Sequence, residues 1–320
     1  MALKSINPYT SETLEEFPEL DQKVIREKIN KTEAAFQKWR STNFESRKKL
    51  LLNVAKDLSD NIQALSKTIT VEMGKTITES KAEVEKCAWV SEYYANNAES
   101  FLTDEDIHSD ARRSWVRYDP LGTILGIMPW NFPFWQVFRF AAPTLMAGNV
   151  ILLKHSSNTQ LCAKAIENSF HRAGLPDGVF QNLMIGSEKV RDVIEHKAVK
   201  AVTLTGSEAA GRSVAEQAGR MIKKSVLELG GSNPFIVLED ADLEKAVRTG
   251  IKARMQNAGQ SCIAAKRFIV HEKIYDSFID EYKKQTEKLI YGDPLDLKTD
   301  LGPLSSQQQA ETVNDQLKRS

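Results

Sequence analysis

Ala198-Val199-Lys200-Ala201-Val202-Thr203-Leu204-Thr205-Gly206-Ser207 is a short apolar run closed by a Gly-Ser turn, and a helical pattern over 207–220 follows directly. A strand that feeds a helix through so tight a turn is half of a βαβ unit. The same alternation repeats on both sides. Strand-like runs are expected at 123–128, 150–153, 179–185, 198–204, 225–229 and 234–238, with helices at 160–172, 189–196 and 207–220. The helix over 160–172 stops at Ala173-Gly174-Leu175-Pro176, where Gly and then Pro end it. Strands and helices alternating at this spacing predict a mostly parallel sheet covered on both faces, a doubly wound α/β fold.

Upstream, the first hundred residues read as helices. Leu51, Val54, Leu58, Ile62, Leu65 and Ile69 form one apolar stripe; Val24, Ile25, Ile29, Phe36 and Trp39 mark an earlier helix, and Val84, Ala88 and Tyr94 a later one. A short strand is expected at 112–118. Downstream, Asp240-Ala241-Asp242-Leu243-Glu244 places acids at a helix start, which suits the macrodipole. A helix over 242–256, a strand over 266–271 and a helix over 274–289 follow. The expected division is 1–239 and 240–320. No repeat, low-complexity tract or long linker separates the two parts, which implies a packed crossing.

The chain has 320 residues, with 43 Lys+Arg against 43 Asp+Glu and thus a formal net charge of zero. That balance offers no basic field for nucleic acid or anionic lipid. Residues 120–138 and 140–153 carry no charge, so Arg139 stands alone between them. Pro120, Pro129 and Pro133 interrupt the run and Asn131 and Gln136 are polar, so buried sheet and loop is expected there and not a membrane span. Cys87, Cys162 and Cys262 are too few for a disulfide framework, and no C-x-x-C suggests zinc. A start without a signal-peptide run and this cysteine usage together predict a cytoplasmic protein.

Several residues stand where chemistry is possible. Thr205-Gly206-Ser207 opens a helix after a strand, a natural phosphate site, though a plain turn with Ser as N-cap is the commoner meaning of such a tripeptide alone. No G-x-G-x-x-G or Walker motif occurs. Glu228, in Val226-Leu227-Glu228-Leu229-Gly230-Gly231, is either a part-buried general base or an exposed carboxylate on an edge strand. Cys262 follows Asn257-Ala258-Gly259-Gln260-Ser261 in a polar loop, a setting that suits a reactive thiol better than the helical surroundings of Cys87 and Cys162. His155 and His271 are the distant candidates for a Cys–His pair. Pro129-Trp130-Asn131-Phe132-Pro133 would fix a loop and aim an amide that can donate to an oxyanion, or be a structural turn. Lys154 ends a strand at the crevice where ligands of parallel sheets bind.

Together and in this order, these stretches resemble the aldehyde dehydrogenase superfamily: 129–133, Lys154-His155-Ser156-Ser157, Leu204-Thr205-Gly206-Ser207 with Gly211, Leu227-Glu228-Leu229-Gly230-Gly231, and Gly259-Gln260-Ser261-Cys262. Within it, the Lys-His pair and Tyr118-Asp119-Pro120-Leu121-Gly122 are most similar to bacterial NAD(P)-dependent succinate-semialdehyde dehydrogenases. The resemblance implies a Rossmann-like cofactor domain with an α/β catalytic domain. It makes Cys262 the nucleophile, Asn131 and the Cys262 backbone N–H the oxyanion donors, and Glu228 the base that activates water on a thioester. Ile127, Trp130, Lys154, His155, Ser156, Ser157, Gly186, Gly206, Ser207 and Leu229 would lie along NAD or NADP. Arg139 would meet a substrate carboxylate, with Gln256 where some relatives carry a second Arg. It further implies no metal, a place in GABA degradation, and a homodimer or homotetramer built on an arm that starts at 112–120.

Three details refine the expectation. Ser157 stands where NAD-selective relatives carry a Glu that repels a 2′-phosphate, so NADP is expected to be accepted, alongside NAD. Ala264 excludes a vicinal Cys–Cys switch beside Cys262. Glu228 favours hydrolysis over acyl transfer to CoA. The other readings are a dehydrogenase of another small aldehyde, a non-catalytic binding or structural member of the fold, and a cysteine hydrolase. Because members of the superfamily continue well past Ser320, the sequence reads as an incomplete catalytic domain, closed by a polar helical stretch at 305–320.

Overall fold

The structure is a computed structural model and describes residues 2–319. It opens with a hairpin, β1 (Ala2–Ile6) antiparallel to β2 (Thr13–Pro18). This corrects the expectation of helix throughout the first hundred residues. Four helices follow: α1 (Gln22–Trp39), α2 (Phe44–Asp60), α3 (Ile62–Met73) and α4 (Ile77–Phe101). Asp21 caps α1 by accepting from the Val24 N–H at 2.8 Å, and Asn43 caps α2 through Ser46 at the same distance. β3 (Glu105–Ile107) and β4 (Ser114–Val116) form a small antiparallel hairpin, and β4 is the strand expected at 112–118.

The central sheet comprises β5 (Thr123–Met128), then α5 (Trp135–Met146), β6 (Val150–His155), α6 (Gln160–Arg172), β7 (Phe180–Asn182), α7 (Val190–Glu195), β8 (Val199–Thr205), α8 (Glu208–Arg220) and β9 (Lys224–Glu228). Its order is β7-β6-β5-β8-β9 and every pairing is parallel. The chain works outward from β5 to β7, then returns to the other side of β5. The strand order therefore switches between β5 and β8, and ligands of such sheets bind beyond the carboxyl ends at that switch. Every residue of β6 is buried, which is why 150–153 reads as an unbroken apolar run. Phe134, Phe138, Phe170 and Phe180 stack in series on one face. Gly126, mid-strand in β5, leaves the space that the Phe140 ring fills.

Beyond β9 the chain starts a second sheet. β10 (Pro234–Val237) is followed by α9 (Leu243–Met255), β11 (Arg267–Val270), α10 (Tyr275–Thr286) and α11 (Gln307–Arg319). β10 pairs in parallel with β11 and not with β9, so the sheets change between Glu228 and Pro234, ahead of the boundary expected at residue 240. Val237, Val247, Ile251 and Phe278 form its own core. The expected helix at 305–320 is α11; Ser320 lies outside the described residues. Among the described residues, no helix is long and apolar enough to cross a membrane.

Candidate active site

Two loops meet behind the switch point. The first leaves β5 and carries Asn131; the second leaves α9 and carries Cys262. Asn131 Nδ2 donates to the Gln260 carbonyl at 3.0 Å, and Asn257 Nδ2 donates to the Asn131 carbonyl at 2.7 Å. The predicted oxyanion donor and the predicted nucleophile, 131 positions apart in sequence, thus share one hydrogen-bonded junction. An Asn amide has two N–H groups, so one remains for a ligand after the bond to Gln260. Among the described residues no hydrogen bond engages the Cys262 N–H, while its carbonyl accepts from Lys266 Nζ at 2.8 Å.

Cys262 lines a cavity of about 290 Å³ together with Gln256, Ser261, Phe132, Trp135 and Arg139. The two other thiols, Cys87 and Cys162, are fully buried, and burial pushes both well above the usual thiol range. They are core side chains.

Glu228 is open in sequence between a part-buried base and an exposed carboxylate. It ends β9, the edge strand of the sheet, and its side chain is 55% exposed. Of the two readings left open by the hexapeptide, the structure shows the exposed carboxylate on an edge strand, β9 being exposed along most of its length. Arg139 reaches it: the guanidinium lies 3.7 Å from the carboxylate and donates to Thr205 Oγ1 at 3.1 Å. Arg139 therefore stands between the Cys262 cavity and Glu228, two places that the sequence could not connect.

The cofactor candidates cluster at the carboxyl ends of the central strands. Ser207 Oγ accepts from the Ala210 N–H at 3.2 Å and caps α8, while the Gly206 N–H donates to the Glu228 carbonyl at 3.0 Å. A Cβ on Gly206 would meet nothing nearer than 3.6 Å, so the protein itself does not demand glycine there. The space it leaves suits a phosphate at the helix start. Lys154 is buried, burial holds its ammonium below the ordinary lysine range, and no hydrogen bond or ion pair among the described residues uses it. A part-desolvated cation at a strand end, with the Glu188 and Glu19 carboxylates acting on it only through space, suits an anionic or hydroxyl-rich ligand. Ser157 is exposed on the turn beyond it, Ser156 is half-buried, and Ile127 and Trp130 flank the β5 end, both half-buried. Gly186 sits against the Glu188 carboxylate, and Leu229 against Gly211 of α8. These residues fit a dinucleotide.

His155 is different. It is fully buried, its Nε2–H donates to the Pro133 carbonyl at 2.9 Å, and its Nδ1 accepts from Ser156 N at 2.8 Å and Thr159 Oγ1 at 2.7 Å. The carbonyl can only accept, which fixes the Nε2–H tautomer. Burial lowers its pKa to about 4. Its side chain offers a ligand no surface, so the expected cofactor contact is corrected to a clamp on the Asn131 loop. A Cys–His pair through His155 is excluded on the same ground.

The sequence reading missed the residues that hold this site. α5 begins without a side-chain cap of its own; Glu83 of α4 supplies one, accepting from the Phe134 and Trp135 N–H groups at 2.9 Å each. Glu83 also pairs with Lys75, both side chains buried, and the Lys75 ammonium sits 3.7 Å from the Phe132 ring centroid. Glu79, one turn earlier, accepts from the Asn257 N–H at 2.8 Å. One face of α4 thus grips both loops. Glu72, at the end of α3, likewise caps α6 through Leu161 N and Cys162 N at 2.7 Å, and burial pushes its carboxyl above the usual range.

A family model described as the aldehyde dehydrogenase family matches residues 1–320. The chain belongs to the aldehyde dehydrogenase family. It is 49% identical over 306 residues to a Synechocystis sp. protein described as a probable succinate-semialdehyde dehydrogenase (NADP+), covering 96% of this chain and 67% of that protein. It is 47% identical over 311 residues to succinate-semialdehyde dehydrogenase (NADP+) 1 of Mycobacterium tuberculosis, covering 96% of this chain and 68% of the relative. The structure resembles that of succinic semialdehyde dehydrogenase from Streptococcus pyogenes in complex with NADP+, with a TM-score of 0.97 at 38% identity over 99% of this chain and 70% of the other. The expected α/β architecture of that family is the one observed.

Proposed function

We propose that the protein catalyses the NADP-dependent oxidation of succinate semialdehyde to succinate, with NAD also accepted. The single observation that carries the proposal is the junction of the Asn131 and Cys262 loops at Gln260, on the wall of a cavity that also contains Arg139. The relatives named for this substrate and cofactor support it.

In this reading the Cys262 thiolate adds to the aldehyde carbon, and the carbonyl π pair moves to oxygen. The free Asn131 N–H and the Cys262 backbone N–H receive that oxyanion, where preorganised donors contribute most. NADP+, when bound, would supply the hydride acceptor, and Cys262 would keep the oxidised acyl group as a thioester. Glu228 then takes a proton from water, which attacks the thioester and releases the acid and the thiolate. The Glu228 carboxylate is exposed and tied to Arg139, so it reaches the thioester by swinging from that ion pair. Lys154 holds the adenosine ribose, and Gly206 with Ser207 the pyrophosphate. Ser157 leaves room for a 2′-phosphate without an opposing charge.

We divide the chain into a cofactor unit and a catalytic unit that carries Cys262, crossing near 229–233 where the sheets change. The exposed β3–β4 hairpin, with Trp115 and Tyr118 outward, is the start of a homo-oligomerisation arm, and the protein works in the cytoplasm. The test is NAD(P)H formation with succinate semialdehyde and each cofactor. The expected result is turnover with NADP+ at least equal to that with NAD+. Rejection of NADP+ by roughly a thousandfold, about 4 kcal/mol, contradicts the cofactor assignment.

A further inference from the structure

α4 presents Glu79, Ala82, Glu83 and Lys86 to the Cys262 cavity. Their spacing of three, four and seven puts them on one face of the helix. The two acids are already committed: Glu79 to the Asn257 N–H, Glu83 to Lys75 and two backbone N–H groups. Arg139, the cation that the sequence offered for a substrate carboxylate, is shared with Glu228 and Thr205. Gln256 is neutral. Lys86 alone brings a positive charge to this cavity without an ion-pair partner among the described residues. Its Nζ lies 3.9 Å from the Trp135 ring centroid, and Trp135 is itself part of the cavity wall. A cation–π contact orients the ammonium without neutralising it, unlike a carboxylate.

We propose that Lys86 is a specificity-determining residue: its ammonium, held over Trp135 at the cavity wall, reads the far carboxylate of an ω-carboxy aldehyde while Cys262 takes the carbonyl carbon. The inference rests on the aldehyde-oxidation reading and names the substrate class of that site, the semialdehydes of short dicarboxylic acids. Lys86 supplies the second positive charge that Gln256 does not. The Arg139 pairing gives this a purpose. A substrate carboxylate bound by Arg139 alone would have to displace Glu228 from the same guanidinium, whereas one held also by Lys86 draws on a cation that no carboxylate occupies.

The test needs no turnover. Succinate semialdehyde and uncharged butanal each form a thiohemiacetal with Cys262, the S–C bond replacing the carbonyl π bond and the oxygen taking a proton. Either aldehyde therefore protects that thiol from iodoacetamide. Cys87 and Cys162 are buried and silent in the folded chain, so alkylation reports Cys262. The observable is the ratio of half-protecting concentrations, butanal over succinate semialdehyde, in the full chain. The expected result is a ratio above one that falls by roughly fivefold in Lys86→Met and returns in Lys86→Arg, as for a partly exposed ionic contact. A ratio that Lys86→Met leaves in place overturns the proposal. So does a loss that Lys86→Arg fails to restore, because a charge reader tolerates that change. Failure of the oxidation reading is seen separately, as absence of NAD(P)H with either aldehyde in the unmodified protein.

Discussion

The Asn131 loop and the Cys262 loop meet at Gln260, yet they are held in opposite ways. Around Asn131, buried charges and a buried imidazole do the holding: Glu83 on the Phe134 and Trp135 N–H groups, Lys75 under Phe132, and His155 on the Pro133 carbonyl. Around Cys262 the hold is lighter. Asn257 and Ala258 adopt left-handed backbone at φ 55° and 52°, Gly259 at 76°, and Ile263 is 68% exposed. The ties are hydrogen bonds without a buried ion pair among the described residues: Glu79 on the Asn257 N–H, Asn257 on Asn131, Asn131 on the Gln260 carbonyl, the Ser305 N–H on Gln260 Oε1, Arg254 on the Gly259 carbonyl, and Lys266 bridging the Cys262 and Gly231 carbonyls at 2.8 and 2.6 Å. The difference follows the chemistry. An oxyanion donor stabilises only if it is fixed before the charge develops. A nucleophile must move toward carbon, away from it, and leave space for water. Strained backbone held by hydrogen bonds and not by buried charges is the kind of segment that can do so.

The contrast is open to attack at its strongest point first. Glu83→Gln leaves the Lys75 ammonium buried without a carboxylate and is expected to cost about 3–5 kcal/mol in urea unfolding. Replacing both partners, Lys75→Met with Glu83→Gln, is expected to recover much of that loss. A cost below about 1 kcal/mol for Glu83→Gln would erase the distinction between the loops.

Next is pH. His155 has a folded pKa of about 4 against 6.5 for the free side chain, so between these values the unfolded chain binds more protons than the folded one. Stability therefore rises with pH through that window and is lost as pH falls through it, by about 3 kcal/mol in all. Unfolding measured from pH 7 down to 4 is expected to show this slope, and His155→Gln to flatten it. An unchanged slope in the variant would mean that the clamp is not buried neutral.

The smallest effect is on the nucleophile loop. Ala258→Gly removes the left-handed penalty of a Cβ, about 1 kcal/mol, and adds part of that back as unfolded-state freedom. A net gain of about 0.5 kcal/mol is expected in thermal unfolding, with faster iodoacetamide labelling of Cys262. A destabilised variant would show that the loop is not strained at that position.

Much of the central sheet was legible because its strands are buried on both faces and read as apolar runs, and the helix over 207–220 begins at the Ser207 cap as expected. The hairpin β1–β2 was not, because only Leu3 and Ser5 of β1 turn inward and one of those is polar. Two of the motif residues, Asn131 and Cys262, converge as their motifs suggested. What lay out of reach was their support. Nothing local in the sequence distinguishes Glu79 or Glu83 from an acid facing water, although Glu83 caps a helix fifty positions away. Glu228 stayed open between burial and an edge strand because its apolar neighbours suit either; the structure shows β9 as an edge, with Val226 in the same strand 60% exposed. Edge position is a property of topology and cannot be read from a hexapeptide.

The central claim is that Cys262 carries the acyl group and Glu228 releases it. Intact-mass measurement of the Glu228→Gln variant, mixed with succinate semialdehyde and NADP+, addresses it most directly. The predicted result is one equivalent of NADPH and one succinyl group retained on Cys262, with further turnover abolished. Unchanged turnover in the variant, or a succinyl group absent while NADPH forms, would contradict the account.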